Sequence, residues 1–145
     1  MLHRVTRPDP TNPPANGTGI WLAIAAGGAL GATMRFGLTR LLAQQSDWDP
    51  WLATAGSNVL GALALGFLLA RLSENSHPLL RPFLATGLLG SFTTFSTLLL
   101  ENDALFQTSP VQALMHLTLV IGLGLAAFPV GEALGGRRPS PGAPS

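Results

Sequence analysis

Residues 82–100 read PFLATGLLGSFTTFSTLLL, a stretch of 19 residues without one charged side chain. Three further stretches, at 10–34, 50–70 and 104–131, are equally free of Asp, Glu, Lys and Arg. A bilayer core about 30 Å thick is crossed by roughly 20 apolar helical residues. A small soluble protein cannot hide four such segments, because most of its surface faces water. The sequence therefore predicts an all-α integral membrane protein with four transmembrane helices.

The predicted spans cover about residues 20–42, 51–70, 83–100 and 111–131, within one membrane domain of residues 20–134. Residues 1–19 and 135–145 are rich in Pro, Gly, Ser and Asn, and we expect both to be mobile tails. The predicted loops at 43–50, 71–82 and 101–110 are short, so neighbouring helices are expected to run antiparallel. So small a fold has little interior of its own, and we expect a path for solute to lie between subunits.

The composition excludes several classes of function. Only 10% of the residues are charged, against about 25% in ordinary soluble domains, so membrane lipid is the expected surrounding. Eight basic residues face seven acidic ones, which leaves no basic patch for nucleic acid. The absence of cysteine excludes a disulfide framework, a thiol nucleophile and a thiolate metal site.

The third span carries five hydroxyl side chains in seven residues, between Ser91 and Thr97, with glycines before them. Hydroxyls can bond back to carbonyls of their own helix, which explains one or two of them but hardly five. Unwound backbone at membrane depth is tolerated where protein or a water-filled cavity satisfies it. A broken helix can hold a cation through freed carbonyls and present donors to an anion. The pattern favours a functional break in this span.

Three other polar residues in or near the spans have more than one interpretation. Asn58 lies about eight residues into the second span and four after Thr54, so the two share a helix face. Its amide either bonds another helix or lines a polar path. Arg35 is either an interfacial anchor or a vestibule charge that attracts anions. His116, near a span end, is expected to be a satisfied interfacial residue rather than a ligand.

Three motifs occur together in order: GGALGATMR at 27–35, GSNVLG at 56–61 and GSFTTFST at 90–97. The first places Gly27 and Gly31 four residues apart, a spacing that lets two helices approach closely in lipid. Together the motifs resemble those of the Fluc (CrcB-type) fluoride channels, over about residues 20–134. This resemblance implies a channel in the prokaryotic plasma membrane that exports fluoride passively and relieves its toxicity.

The resemblance also implies an assembly and a set of site residues. The family forms a dual-topology, antiparallel dimer with two fluoride pores and a structural sodium ion on the symmetry axis. The third helix breaks at its middle, and main-chain carbonyls at the break, here those of Gly90 and Thr93, bind the sodium. The residues that match the family's pore and vestibule are Arg35, Thr54, Asn58, Thr94, Phe95, Ser96 and Thr97.

The sequence departs from the family pattern in two places. The second phenylalanine of the aromatic pair, three residues after Phe95, is Leu98 here, and the tyrosine often found in the fourth span is missing. Either the pore tolerates these changes or the subunit is specialised. The arginines are also unevenly placed, because six fall on the side of the tails and the 71–82 loop, against one or two on the other. This bias favours a fixed orientation with cytoplasmic termini, and hence a partner that is an oppositely oriented homologue.

Three other functions compete with a fluoride channel. A small multidrug-resistance-type exporter is also a four-span dimer, but it needs a membrane-embedded acid, and the first span has none. A non-conducting subunit would explain the small-residue packing and Leu98, but not the Ser/Thr-rich break. An enzyme is least favoured, because no carboxylate pair, histidine cluster or activated nucleophile lies within the spans.

Overall fold

The computed structural model describes residues 16–44, 51–72 and 76–136, which are almost entirely helical. The elements in chain order are α1 (Gly17–Ala43), α2 (Trp51–Arg71), a π-helical segment (Pro82–Leu89), α3 (Gly90–Phe92), α4 (Phe95–Thr108) and α5 (Pro110–Gly135). Four stretches of 27, 21, 27 and 26 residues are long and apolar enough to cross a membrane, the third being Pro82–Thr108. The four predicted transmembrane helices are confirmed.

The ends of the membrane domain lie slightly further out than predicted. Asn16 caps the N-terminus of α1. Its side-chain Oδ1 accepts the N–H of Gly19 at 2.8 Å and satisfies one of the unpaired donors of the first turn. At the other end, α5 continues past Pro129 to Gly135. Residues 1–15 and 137–145, which make up most of the two predicted tails, lie outside the described residues.

The third span, Pro82–Thr108, is a broken helix. Thr93 and Thr94 are both extended, with ψ of 154° and 120°, and they separate α3 from α4. This geometry is consistent with the predicted break. The loop predicted at 101–110 is wrong, because α4 continues to Thr108 and only Ser109 separates it from α5. Pro110 opens α5, where the missing N–H of proline costs no hydrogen bond.

Two close helix pairs organise the protein. In the first, α2 packs against α5 in parallel, and a methyl group on Gly66 or Gly131 would collide with main-chain atoms of the facing helix. In the second, α1 packs against the third span, and Gly27 and Gly31 lie directly against the main chain of Phe83 and Leu88. Contact of this kind is how helices gain packing energy in lipid, so the predicted role of the Gly27–Gly31 pair is confirmed.

The single chain buries little of its own apolar surface. At most 33% of any spanning window is buried, and the figure falls to 11% for α1. Large apolar side chains are exposed along α1, α4 and α5, including Trp21, Phe36, Phe95 and Leu125. Such a surface is stable against lipid or against another chain.

Candidate functional site

The break exposes the N-terminus of α4 beside a cluster of hydroxyls. Thr94 caps this helix, because its Oγ1 accepts the N–H of Thr97 at 3.2 Å. The same Oγ1 donates to Thr97 Oγ1 at 3.0 Å and lies 3.3 Å from Ser96 Oγ. The N-terminus of a helix carries unpaired N–H groups and the positive end of the helix dipole, both of which favour an anion.

Asn58 on α2 holds the main chain of the break. Its Nδ2 donates to the carbonyl of Thr94 at 2.9 Å, and its Oδ1 accepts the N–H of Thr94 at 2.7 Å. One of the two amide hydrogens is used in this pair. The other remains available as a donor toward the open side of the break, so the two roles considered for Asn58, helix-to-helix bond and path-lining amide, are compatible.

The carbonyls at the break divide into occupied and free ones. That of Ser91 accepts from Arg35 and that of Thr94 from Asn58. Within the described part of the chain, the carbonyls of Gly90 and Thr93 receive no hydrogen bond. Free carbonyl oxygens are ligands suited to a hard cation.

Arg35 on α1 bonds a different residue of the third span from the one that Asn58 bonds. Its Nε donates to the Ser91 carbonyl at 3.2 Å, and the side chain is half-buried between α1 and the third span. This carbonyl lies near the C-terminal end of the first half of the span, where the helix dipole is negative and a cation is favourable. Arg35 is therefore bonded to the break itself, a position that neither interpretation of the sequence described.

Thr54 does not join the other predicted pore residues at the break. It is 6% exposed and donates to Glu101 Oε1 on α4 at 2.7 Å, while Glu101 Oε2 is buried without a hydrogen-bond partner among the described residues. Sequence reasoning missed Glu101, because it placed this acid in a loop. The available signal was the stretch NDALFQT, which follows Glu101 without a glycine or proline and lets the helix continue.

An open cavity of about 400 Å³ runs between α2, the break and α5. Asn58, Thr93, Thr94 and Phe95 line one part of it, and Phe95 is 60% exposed. The remaining lining is apolar and comes from α2, α4 and α5, with Leu98 among it. Leu98 is only 2% exposed, so most of its side chain packs inside the chain rather than facing the cavity.

The predicted site residues therefore fall into three groups. The cavity brings Asn58, Thr94 and Phe95 together, and hydrogen bonds join Ser96 and Thr97 to Thr94. Gly90 and Thr93 both belong to the break, with Gly90 on the surface. Arg35 and Thr54 contact the third span outside the cavity, through Ser91 and Glu101 respectively.

His116 lies near the start of α5 and makes an aromatic contact. Its ring lies 5.1 Å from that of Trp51 in an edge-to-face arrangement. Both ring nitrogens are buried without a hydrogen-bond partner among the described residues, so the hydrogen bonds expected of a satisfied interfacial histidine are not found in this part of the chain.

Comparison with known proteins extends over most of the chain. Residues 22–132 match the family model described as CrcB-like protein, Camphor Resistance (CrcB). A Thermobifida fusca protein named fluoride-specific ion channel FluC 2 is 44% identical over 108 residues, which cover 72% of this chain and 79% of that protein. Proteins named fluoride-specific ion channel FluC from Paracoccus denitrificans and Deinococcus radiodurans are 38% and 39% identical, over 79% and 81% of this chain and 93% and 96% of their own lengths.

Proposed function

The chain belongs to the CrcB-like protein family, and on this basis we propose that it is a subunit of a fluoride-selective channel. It is a multi-pass membrane protein of the plasma membrane and not an enzyme. Fluoride is the transported ion, and its passive export protects the cell from fluoride. Among the structural features, the break in the third span carries the proposal, because it places hydroxyl, amide and main-chain donors beside an exposed phenylalanine.

The chemistry of the break suits a small, strongly hydrated anion. A selective path must replace the water around fluoride with other donors, and Asn58, Ser96 and Thr97 supply N–H and O–H groups. The edge of an aromatic ring is positive, so Phe95 can meet an anion edge-on. Conduction requires binding that is weak and spread over several sites. The centre of each span is free of Lys and Arg, which would hold the anion too firmly.

A dimer completes the pathway in this proposal. Phe95 and Ser96 are exposed on a single chain, and the cavity beside them is open. Much of the apolar surface of α5 is uncovered, and within the described residues Gly122 and Gly124 have open space where a side chain would lie. An antiparallel second chain would close the cavity and bury this surface. Two such cavities related by the two-fold axis would give two pores.

A structural sodium ion fits the carbonyls of the break. Those of Gly90 and Thr93 lack donors among the described residues, and Gly90 lies on the surface where a second chain can approach. Each chain would contribute two oxygens, and the pair four, all of the carbonyl type that hard cations prefer. The ion would supply positive charge at the point where two broken helices meet.

A second candidate function is that of one subunit in a heterodimeric fluoride channel, and Leu98 is the residue that favours it. A buried leucine at this position leaves the cavity with one phenylalanine from the motif instead of two. A homologous partner of opposite orientation that carries both rings would restore an aromatic track in one pore. In that case this chain would be the less conductive subunit.

Fluoride efflux from liposomes that contain only the purified chain tests the proposal. We expect sodium-dependent assembly, fluoride efflux and no chloride efflux. Phe95→Ile should abolish most of the flux, whereas Phe106→Ile, on the same helix and 53% exposed but away from the cavity, should leave it unchanged. Equal loss in both variants would contradict the role of Phe95. Reproducible absence of flux from folded wild-type protein would overturn the homodimeric channel and leave the heterodimer.

A further inference from the structure

We infer that Asn58 is a positioning residue for the cation site. Its side-chain amide keeps the backbone of the third span extended at Thr94, and this keeps the Gly90 carbonyl free. The inference rests on the proposed sodium site. It assigns to Asn58 a role that is separate from donation to fluoride, and it links α2 to the carbonyls of the break.

The bond from Thr94 to Asn58 displaces a hydrogen bond of the helix. In a continuous α-helix, the N–H of residue i bonds the carbonyl of residue i−4, so the N–H of Thr94 would close onto Gly90. Here that N–H donates instead to Asn58 Oδ1 at 2.7 Å. The Gly90 carbonyl therefore loses its natural donor, and no other donor within the described residues replaces it.

The side-chain amide of Asn58 favours an extended backbone at Thr94. Asn58 bonds both the N–H and the carbonyl of this one residue, at 2.7 and 2.9 Å. In extended backbone these two groups point to the same side, as in the paired residues of an antiparallel sheet. In a helix they point in opposite directions along the axis, so a single amide cannot reach both. These two hydrogen bonds therefore favour the φ of −148° and ψ of 120° at Thr94, the extended backbone that breaks the span.

The carbonyl of Thr93 also lacks its helical donor. The N–H of Thr97 would reach the Thr93 carbonyl in a helix, but it donates to Thr94 Oγ1 at 3.2 Å. Two side chains, Asn58 and Thr94, therefore capture the two donors that would occupy the carbonyls of Gly90 and Thr93. If Asn58 lost its amide, the Thr94 N–H would return to Gly90 and compete with the cation for that oxygen.

The test measures the thermal stability of the full chain in detergent as sodium chloride replaces N-methylglucamine chloride at constant ionic strength. Asn58→Leu removes the amide at similar volume, and Asn58→Asp keeps an oxygen that can accept the Thr94 N–H. Ser57→Ala is the matched control, because Ser57 is the adjacent residue and its hydroxyl bonds only its own helix, at the Thr54 carbonyl.

We expect Asn58→Leu to raise the sodium concentration of half-maximal stabilisation about three- to tenfold, the equilibrium equivalent of one competing hydrogen bond. Asn58→Asp should lie closer to the wild type, and Ser57→Ala should match it. A general loss of packing would lower the melting temperature at every sodium concentration without moving this midpoint. If Asn58→Leu fails to fold, Asn58→Ser, too short to reach both groups, is expected to give the same shift.

Two results would overturn the inference, and they are distinguishable. A sodium response in Asn58→Leu or Asn58→Ser identical to that of the wild type removes the role of Asn58 and leaves the sodium site standing. No sodium response in the wild type removes the sodium site and this inference with it. The fluoride efflux experiment decides the channel function separately.

Discussion

The hydroxyl of Thr54 bonds the carboxyl group of Glu101 and does not line the open cavity. It donates to Glu101 Oε1 at 2.7 Å, and Oε2 is buried without a hydrogen-bond partner in the described chain. A buried carboxylate with one of its two oxygens unpaired depends strongly on the donor that remains. The pair also joins α2 to α4.

Replacing Thr54 by valine should destabilise the protein by about 1–3 kcal/mol, because the volume is kept while the one side-chain donor that Glu101 has among the described residues is lost. Thr54→Ser keeps the hydroxyl and should cost less than Thr54→Val. The measurement is unfolding in detergent at one fixed sodium concentration. If the valine variant is as stable as the serine variant, the hydrogen bond to Glu101 contributes nothing to stability.

Leu98 packs against its own chain beside the cavity, at the position where the family motif places an aromatic ring. The side chain is 2% exposed, so Leu98→Phe adds volume at a position that is already packed. Overpacking of this kind costs typically about 1–3 kcal/mol. We therefore expect Leu98→Phe to lower the melting temperature without increasing fluoride efflux.

The control for this substitution is Leu99→Phe, at the neighbouring position that is 42% exposed. It should change stability by no more than about 0.5 kcal/mol, as expected for an uncrowded surface site. A gain of flux in Leu98→Phe without loss of stability would show instead that the cavity accepts a second ring at this position.

The contact between α1 and the third span depends on Gly31, which lies against the carbonyl of Leu88. A methyl group at this position meets main chain, which cannot rotate away, so Gly31→Ala should separate the two helices and cost about 1–3 kcal/mol. Gly37→Ala is the matched control on the same helix, because nothing within 4 Å would meet its methyl group. It should be neutral or stabilising by up to about 1 kcal/mol.

Thermal unfolding of the two glycine variants checks this prediction. The difference between them isolates packing from helix propensity, since both exchange a helical glycine for alanine. Equal stabilities would mean that α1 does not rely on close approach at Gly31.

The positions of the helices could be predicted from the sequence, but the course of the third span could not be predicted in full. Charge-free stretches fix a span because lipid excludes charge, and the helices agree with the predictions within a few residues at most ends. The exception is Glu101, where the charge ended the predicted span although α4 continues to Thr108. Burial of Glu101 against Thr54 on α2 is a tertiary contact, which hydropathy does not encode.

The sequence indicated candidate residues for the site but not the hydrogen bonds that join them. A run of hydroxyls around Thr94 indicated unwound backbone, and Asn58 indicated a donor beside it. That Asn58 bonds both main-chain groups of Thr94, and that Arg35 bonds the Ser91 carbonyl, depends on which helices lie next to each other. The π-helical geometry of Pro82–Leu89 is likewise invisible in a pattern of apolar residues that fits either helix type.

The chain exposes a large apolar surface on its described residues, which suits lipid, and the proposed dimer would cover part of it. Its exposed apolar side chains are spread over α1, α4 and α5, and the candidate cation ligands lie at the surface near Gly90. An ion held by carbonyls from two chains would tie dimer stability to sodium. Exchange of sodium for N-methylglucamine should therefore shift the protein from dimer toward monomer in detergent, as measured by light scattering. An unchanged dimer fraction would contradict a central sodium site.

The arginines predict an orientation for the chain in the membrane. Arg71 and Arg81 flank the loop between the second and third spans, and four tail arginines fall on the same side, whereas Arg40 lies at the other end of α1. Because basic loops stay in the cytoplasm, this excess predicts one predominant orientation with cytoplasmic termini. A homodimer of antiparallel chains needs both orientations, so a strong bias would favour pairing with a homologue of opposite bias.

Cysteine accessibility in cells checks the orientation directly, since the chain has no cysteine of its own. Single cysteines introduced in the C-terminal tail and in the 43–50 loop should react with an impermeant reagent only from the cytoplasmic and external sides respectively. Adding two arginines to the 43–50 loop is the matched control, and it should move part of the population to the reverse orientation. Equal labelling of each site from both sides in the unaltered chain would contradict the fixed orientation and restore the dual-topology homodimer as the assembly.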